Sequence, residues 1–111
     1  MPDIDIVKEE GSNGHGRYVA RIAGLEGEAE LTFTHRSPNL VSADHTGAPE
    51  SLRGTGIAAA LVARLVEDAR QSGFRILPLC PYVRAQYRRH PEWRDVMTLP
   101  LGEDPPPQGA A

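Results

Sequence analysis

An α+β fold with a mixed sheet is predicted: an antiparallel β-meander, then a β-α-β unit, then a short C-terminal helix. Three observations predict it. Apolar and polar residues alternate through residues 4–46, in runs parted by Gly-rich turns. One long amphipathic stretch begins at Ile57. A last apolar run, Phe74 to Cys80, follows that stretch after a single glycine and returns the chain to the sheet.

The elements follow in order. Asp3-Ile4-Asp5-Ile6 alternates as a short strand with Ile4 and Ile6 inward. Residues 11–16 are a turn with Asn13-Gly14 at its centre. Arg17 to Ala23 is a second strand, with Tyr18, Ala20 and Ile22 on one face, and Gly24 to Gly27 is a second tight connection. Glu28 to His35 alternates most cleanly: Ala29, Leu31 and Phe33 inward, Glu28, Glu30, Thr32 and Thr34 outward. Arg36-Ser37-Pro38 breaks the pattern. Asn39 to Thr46 is a fourth strand.

The helix carries two adjacent apolar rows, Ile57, Leu61, Leu65 and Ala58, Val62, Val66, Ala69, which merge into one buried stripe. Arg64, Glu67, Asp68, Arg70 and Gln71 fall on the other side. Gly73 ends it, since a residue without Cβ enters the left-handed geometry past a helix terminus. Strand four, this helix and strand five then form a parallel pair with a right-handed crossover. Pro78 has no N–H to give to a ladder. It therefore marks either strands that have stopped pairing or a strand at the sheet edge. Pro81 to Arg89 is a short helix with Pro81 at its first position, and Glu92 to Met97 forms one more turn. Residues 1–99 read as one domain, and Pro100 to Ala111, dominated by Pro, Gly and acidic residues, as a disordered tail.

Composition excludes several classes. A chain of 111 residues with 40% hydrophobic content supports one modest core. A net charge of -3 argues against a nucleic-acid or membrane-surface binder. No apolar run approaches the roughly 20 residues of a membrane helix. One cysteine precludes an internal disulfide, and with no signal-like N-terminus a reducing cytoplasm is expected. His15, His35, His45 and His90 are scattered, so no metal site is expected.

The chemistry concentrates at Leu52-Arg53-Gly54-Thr55-Gly56-Ile57-Ala58. The first turn of a helix leaves four N–H groups without partners, at the positive end of the macrodipole. Gly54 and Gly56 let a ligand approach the backbone, and Arg53 adds a fixed charge. Together they make a cradle for a phosphate or pyrophosphate. No Lys-Ser/Thr follows the glycines, as a nucleoside-triphosphate loop needs, and no third glycine stands at the dinucleotide spacing. In an open α/β sheet the site lies beyond the carboxyl ends of the parallel strands. That sets the cradle beside His45, Thr46 and Cys80.

Arg53-x-x-Gly56-x-Ala58 resembles the acetyl-CoA pyrophosphate motif of the GNAT N-acetyltransferase superfamily, Arg/Gln-x-x-Gly-x-Gly/Ala. The runs Pro78-Leu79-Cys80-Pro81-Tyr82-Val83 and Arg89-His90-Pro91-Glu92-Trp93 resemble its very small single-domain members, which keep only the cofactor-binding half of the fold. The likeness spans roughly Tyr18 to Met97. It implies a GNAT-like fold, acetyl-CoA or CoA as cofactor, an amine acceptor, and a pantetheine arm entering where the two parallel strands splay. Thr46, Leu52, Arg53, Gly54, Thr55, Gly56, Ile57, Ala58, Cys80 and Arg84 are the expected cofactor contacts. Cys80, as the cap of the short helix, holds its sulfur in the positive field of a helix start, which favours the thiolate. It is the candidate catalytic residue, either as a nucleophile or by lining the site. His45 or Glu50 is the candidate base. Tyr87 and Tyr82 are alternatives for the acid that protonates the leaving thiolate, and neither is assigned. The two N-terminal helices of larger members are missing. The acceptor site is therefore left open, suiting a peptide or protein amine, or is completed by a second subunit, as in a weak homodimer. The alternative to an enzyme is a non-catalytic CoA-binding or protein-interaction module.

Overall fold

The computed structural model describes residues 3–99. The expected tail at 100–111 lies outside the described residues. Five strands, β1 (Ile4–Glu10), β2 (His15–Ile22), β3 (Ala29–Ser37), β4 (Leu40–Gly47) and β5 (Arg75–Pro78), form one sheet in the order β1-β2-β3-β4-β5. The first three pairings are antiparallel and β4–β5 is parallel. Two helices, α1 (Ile57–Ser72) and α2 (Pro81–Arg89), follow β4 and β5, with 3-10 turns at Glu50–Leu52 and Pro91–Asp95. The architecture is the mixed-sheet α+β fold that the alternation and the single long helix predict.

β1 runs four residues further than the alternation of its apolar residues indicates. The cause is the turn. Asn13 and Gly14 both take positive φ (58° and 77°), and the His15 N–H closes the turn on the Ser12 carbonyl at 3.1 Å. Such a turn matches the twist of two paired strands and propagates the ladder from its first rung, Glu10↔Gly16. Lys8, Glu9 and Glu10 thus continue the strand although no apolar residue demands it. Charges are tolerated there because β1 is a sheet edge.

The core lies between the inner face of the sheet and α1. Tyr18, Ala20, Leu31 and Phe33 meet Ile57, Leu61, Val62, Leu65, Val66 and Ala69. Each large aliphatic side chain so buried contributes about 1.5–3 kcal/mol. Asp68 departs from the expected solvent side. It is half-buried and accepts the Tyr18 hydroxyl at 2.6 Å. Burial, and then this bond, raise the Tyr18 phenol far above its ordinary range.

A pH dependence follows. An ordinary phenol ionises near about pH 10. Below that, folded and unfolded chains both keep the proton and the contribution to stability is complete. Above it the unfolded chain ionises first, so unfolding is favoured. The urea midpoint is expected to fall as pH rises past about 10, and to fall less steeply in Tyr18→Phe. An equal alkaline decline in both proteins would refute the assignment.

β5 is a sheet edge, and its pairing with β4 also stops at Pro78, so both readings of that proline hold. Its outer side is partly covered in a way the sequence does not announce. Ile76 donates to the Val96 carbonyl at 2.6 Å and accepts from Thr98 at 2.7 Å, adding a parallel bridge to Met97. The Arg75 guanidinium fastens the segment through the Asp95 carbonyl and the Thr98 hydroxyl, both at 2.7 Å.

Candidate active site

The connection from β4 to α1 builds a shallow cavity of about 250 Å³. Leu52 is buried and anchors the 3-10 turn. Thr55 works from behind: its hydroxyl donates to the Leu52 carbonyl at 2.6 Å and accepts the Ile57 N–H at 3.4 Å. Gly54 and Gly56 stand at φ 78° and 82°, with nothing within 4 Å of where a Cβ would lie. Their backbone conformation needs glycine and the space above it stays open. Gly56 is the N-cap of α1 and has no side chain to cap the turn, so Thr55 meets only the Ile57 amide, and no acidic residue lies in the first turn. The N–H groups of Ala58 and Ala59 fall in the stretch where a helix offers no intrahelical acceptor. Both residues line the cavity, as do Arg53, Gly54, Gly56, Ile57 and Tyr82.

Arg53 is largely exposed and carries an ion pair with Glu50, Nη2 to Oε2 3.5 Å. Tyr82 is a lining residue that sequence reasoning considers only as an acid. Its closeness to Ala58 is set by how α2 packs, which no local spacing encodes. Burial raises its phenol, so it remains a neutral O–H donor. Tyr87, the other candidate acid, is fully buried in the core.

The ends of β4 and β5 form the second part of the site. Ala43 pairs with Pro78, and its carbonyl then accepts both the Leu79 N–H (3.0 Å) and the Cys80 N–H (2.9 Å). β4 runs on to Gly47 while β5 ends, so the strands part here. Cys80 is the N-cap of α2, as the position of Pro81 predicts. Its buried thiol lies 3.5 Å from the Thr46 hydroxyl. Arg84 Nε donates to the Pro78 carbonyl at 2.9 Å, bracing the end of β5.

The structure thus gathers Leu52, Arg53, Gly54, Gly56, Ile57 and Ala58 around the cavity, supports them with Thr55, and joins Thr46 to Cys80. It does not bring His45 to them. His45 pairs with Thr32, an outward residue of β3, and is exposed. Glu50 lies beside Arg53 at the cradle rather than beside the thiol.

The residues present suit a diphosphate: free first-turn amides, a guanidinium, and close backbone approach. A larger hollow of about 440 Å³ includes Glu9, Glu10 and Asp44 in its lining. Three carboxylates against one guanidinium, Arg17, make it a poor host for a polyanion. Among the described residues no group of His, Cys, Asp or Glu could hold a metal ion, and no helix is long and apolar enough to cross a membrane.

The family described as GCN5-related N-acetyl-transferase matches residues 17–96. The solution NMR structure of a GCN5-like protein from Staphylococcus aureus, itself proposed to be an N-acetyltransferase, shares the fold. The TM-score is 0.62 at 25% identity, over 86% of this chain and 92% of that one. No curated protein matches the sequence at a significant level.

Proposed function

Because this chain belongs to the GCN5-related N-acetyltransferase family, we propose that it transfers an acetyl group from acetyl-CoA to an amine acceptor. The observation that carries the proposal is the uncapped first turn of α1, opening on a cavity with Arg53, beside the point where β4 and β5 part. Acetyl-CoA supplies the activated acyl group. The chain's residues hold and orient it. The amides of Ala58 and Ala59 and the Arg53 guanidinium take the diphosphate. The Thr46–Cys80 pair marks the reacting end. The acceptor we propose is a peptide or protein amine. Among the described residues no helix packs on the outward face of β2 and β3, which carries the half-buried pair Arg17–Glu30, with Arg21–Glu28 at its end; this leaves an approach open to a large molecule.

The test is a calorimetric titration with CoA, followed by radiolabelled acetyl-CoA with a pool of amines and peptides. Saturable CoA binding without label transfer to any acceptor would instead make the protein a binding module. Loss of the binding heat in a protein that remains folded would remove the cradle.

Two substitutions divide the cradle's charge. Arg53→Ala is expected to raise the Kd for CoA about tenfold, the weight of a charge-assisted hydrogen bond. Glu50→Gln is expected to lower it about two- to fourfold, since an exposed carboxylate that shares the guanidinium competes weakly with the ligand. Both effects should shrink in high salt. Unchanged affinity in Arg53→Ala would mean that the arginine does not meet the cofactor.

A further inference from the structure

The β3–β4 ladder slips twice, and the two residues left without partners are tied together. Between Thr32 and Phe33, β4 carries one extra residue, Asp44. Between His35 and Ser37, β3 carries one extra, Arg36. Arg36 Nε donates to the Ser42 hydroxyl at 2.9 Å, and Ser42 donates to Asp44 Oδ1 at 2.6 Å. Thr34 donates to the other Asp44 oxygen at 2.5 Å, and Arg36 Nη2 stands 3.7 Å from Oδ1. Ser42 is fully buried. A hydroxyl in that position must be hydrogen-bonded, and both its bonds run to this cluster.

The slips compensate, so only Phe33–His35 and Val41–Ala43 pair in the shifted register. The consequence falls on the active site. In a regular strand, residues 43 and 46 point to opposite faces. Here Ala43 pairs with inward Phe33 and Thr46 with inward Leu31, so both share the inner face. Ala43 holds the Cys80 amide, and Thr46 meets its sulfur. Either regular alternative parts them. Extending the inner register past Ala43 turns Thr46 outward and His45 inward. Extending the outer register back from His45 turns Ala43 outward and aims the Asp44 carboxylate at the core.

We propose that the Arg36–Ser42–Asp44–Thr34 cluster is a register lock, and that Asp44 is a positioning residue that keeps Thr46 and Ala43 together at Cys80. Its role in acetyl transfer rests on the functional reading above; its role in register does not. Bulges re-aim side chains and are disrupted ladder positions. A one-residue slip reverses faces, so a polar cluster centred on the buried Ser42 has a defined structural task at this point.

The test uses NMR of the free protein, without any cofactor. The wild type is expected to show a nuclear Overhauser effect between the Thr46 methyl and the Cys80 β-protons. Asp44→Ala is expected to lose it, and to lower the transfer rate by about 10- to 100-fold, the effect of a small misplacement. CoA affinity should stay within about twofold, because the cradle lies on α1. Asp44→Asn, whose carbonyl oxygen still accepts from Ser42 while its amide donates to the Thr34 hydroxyl, should restore the signal. Retention of the wild-type signal and register in Asp44→Ala overturns the lock. Should Asp44→Ala not fold, Thr34→Val removes its bond to Asp44 together with the exposed 3.1 Å contact to His15 Nδ1, and leaves the Ser42 bonds in place. The His45 and Thr46 amides are then expected to exchange with deuterium about tenfold faster, as local opening becomes easier, and unchanged exchange overturns the lock. A wild type that keeps the signal but binds no CoA overturns Asp44's part in catalysis along with the cofactor reading.

Discussion

Replacing Cys80 with Ala is expected to cut acetyl transfer by about 10²- to 10³-fold, while leaving CoA affinity within about twofold. Cys80 is the N-cap residue of α2, its thiol lies against the Thr46 hydroxyl, and it sits where β5 leaves β4. Were Cys80 the nucleophile, its sulfur would add to the thioester carbonyl, the bond from acyl carbon to sulfur would break, and CoA would leave as its thiolate. The acceptor amine would then attack the acetyl-cysteine, Cys80 would leave as thiolate, and the ammonium proton would pass to solvent. One thioester replaces another in the first step, so little driving force is needed. An acetyl adduct on Cys80, found by mass mapping after exposure to acetyl-CoA without acceptor, is the accompanying observation. A Cys80→Ala variant with full activity and a wild type with no adduct would remove the cysteine from the chemistry. Direct transfer from the thioester to the amine would then remain.

The second large effect is on stability. Leu61→Ala is expected to cost about 2–5 kcal/mol, through lost transfer energy and the cavity left behind. Leu61 is fully buried, at the centre of the α1 stripe that covers the sheet. For a domain of this size the melting temperature should fall by roughly 10 °C or more. At a temperature where the variant is still folded, CoA affinity should change little, since the cradle lies a helical turn away, at the start of α1. A thermal melt followed by circular dichroism and a titration at low temperature read the two quantities separately. A cost below about 1 kcal/mol would mean that the core collapses around the gap.

The sequence determined this fold to an unusual depth because its signals are local. Alternation in Glu28 to His35, the Asn13-Gly14 turn and the two merged rows of α1 each act within a few residues. Each of them agrees with the others. The cradle was legible for the same reason: Arg53, Gly54, Gly56 and the first turn of α1 are contiguous in the chain. The position of Cys80 as a cap followed from Pro81 alone.

What only the tertiary structure decided lies wherever two distant segments meet. Asp44 and Arg36 look like ordinary polar residues, and nothing near either one announces a bulge. Folding sets the buried Ser42 between them, hydrogen-bonded to both. His45 looked equal to Thr46 until the ladder gave each its face. Tyr82 reached the cavity because α2 packs beside the start of α1, and Arg94 to Thr98 lies along β5, where Arg75 holds three carbonyls and a hydroxyl of that segment. Local propensity is carried by a residue and its near neighbours, whereas register and facing are settled by partners that the chain brings together only on folding.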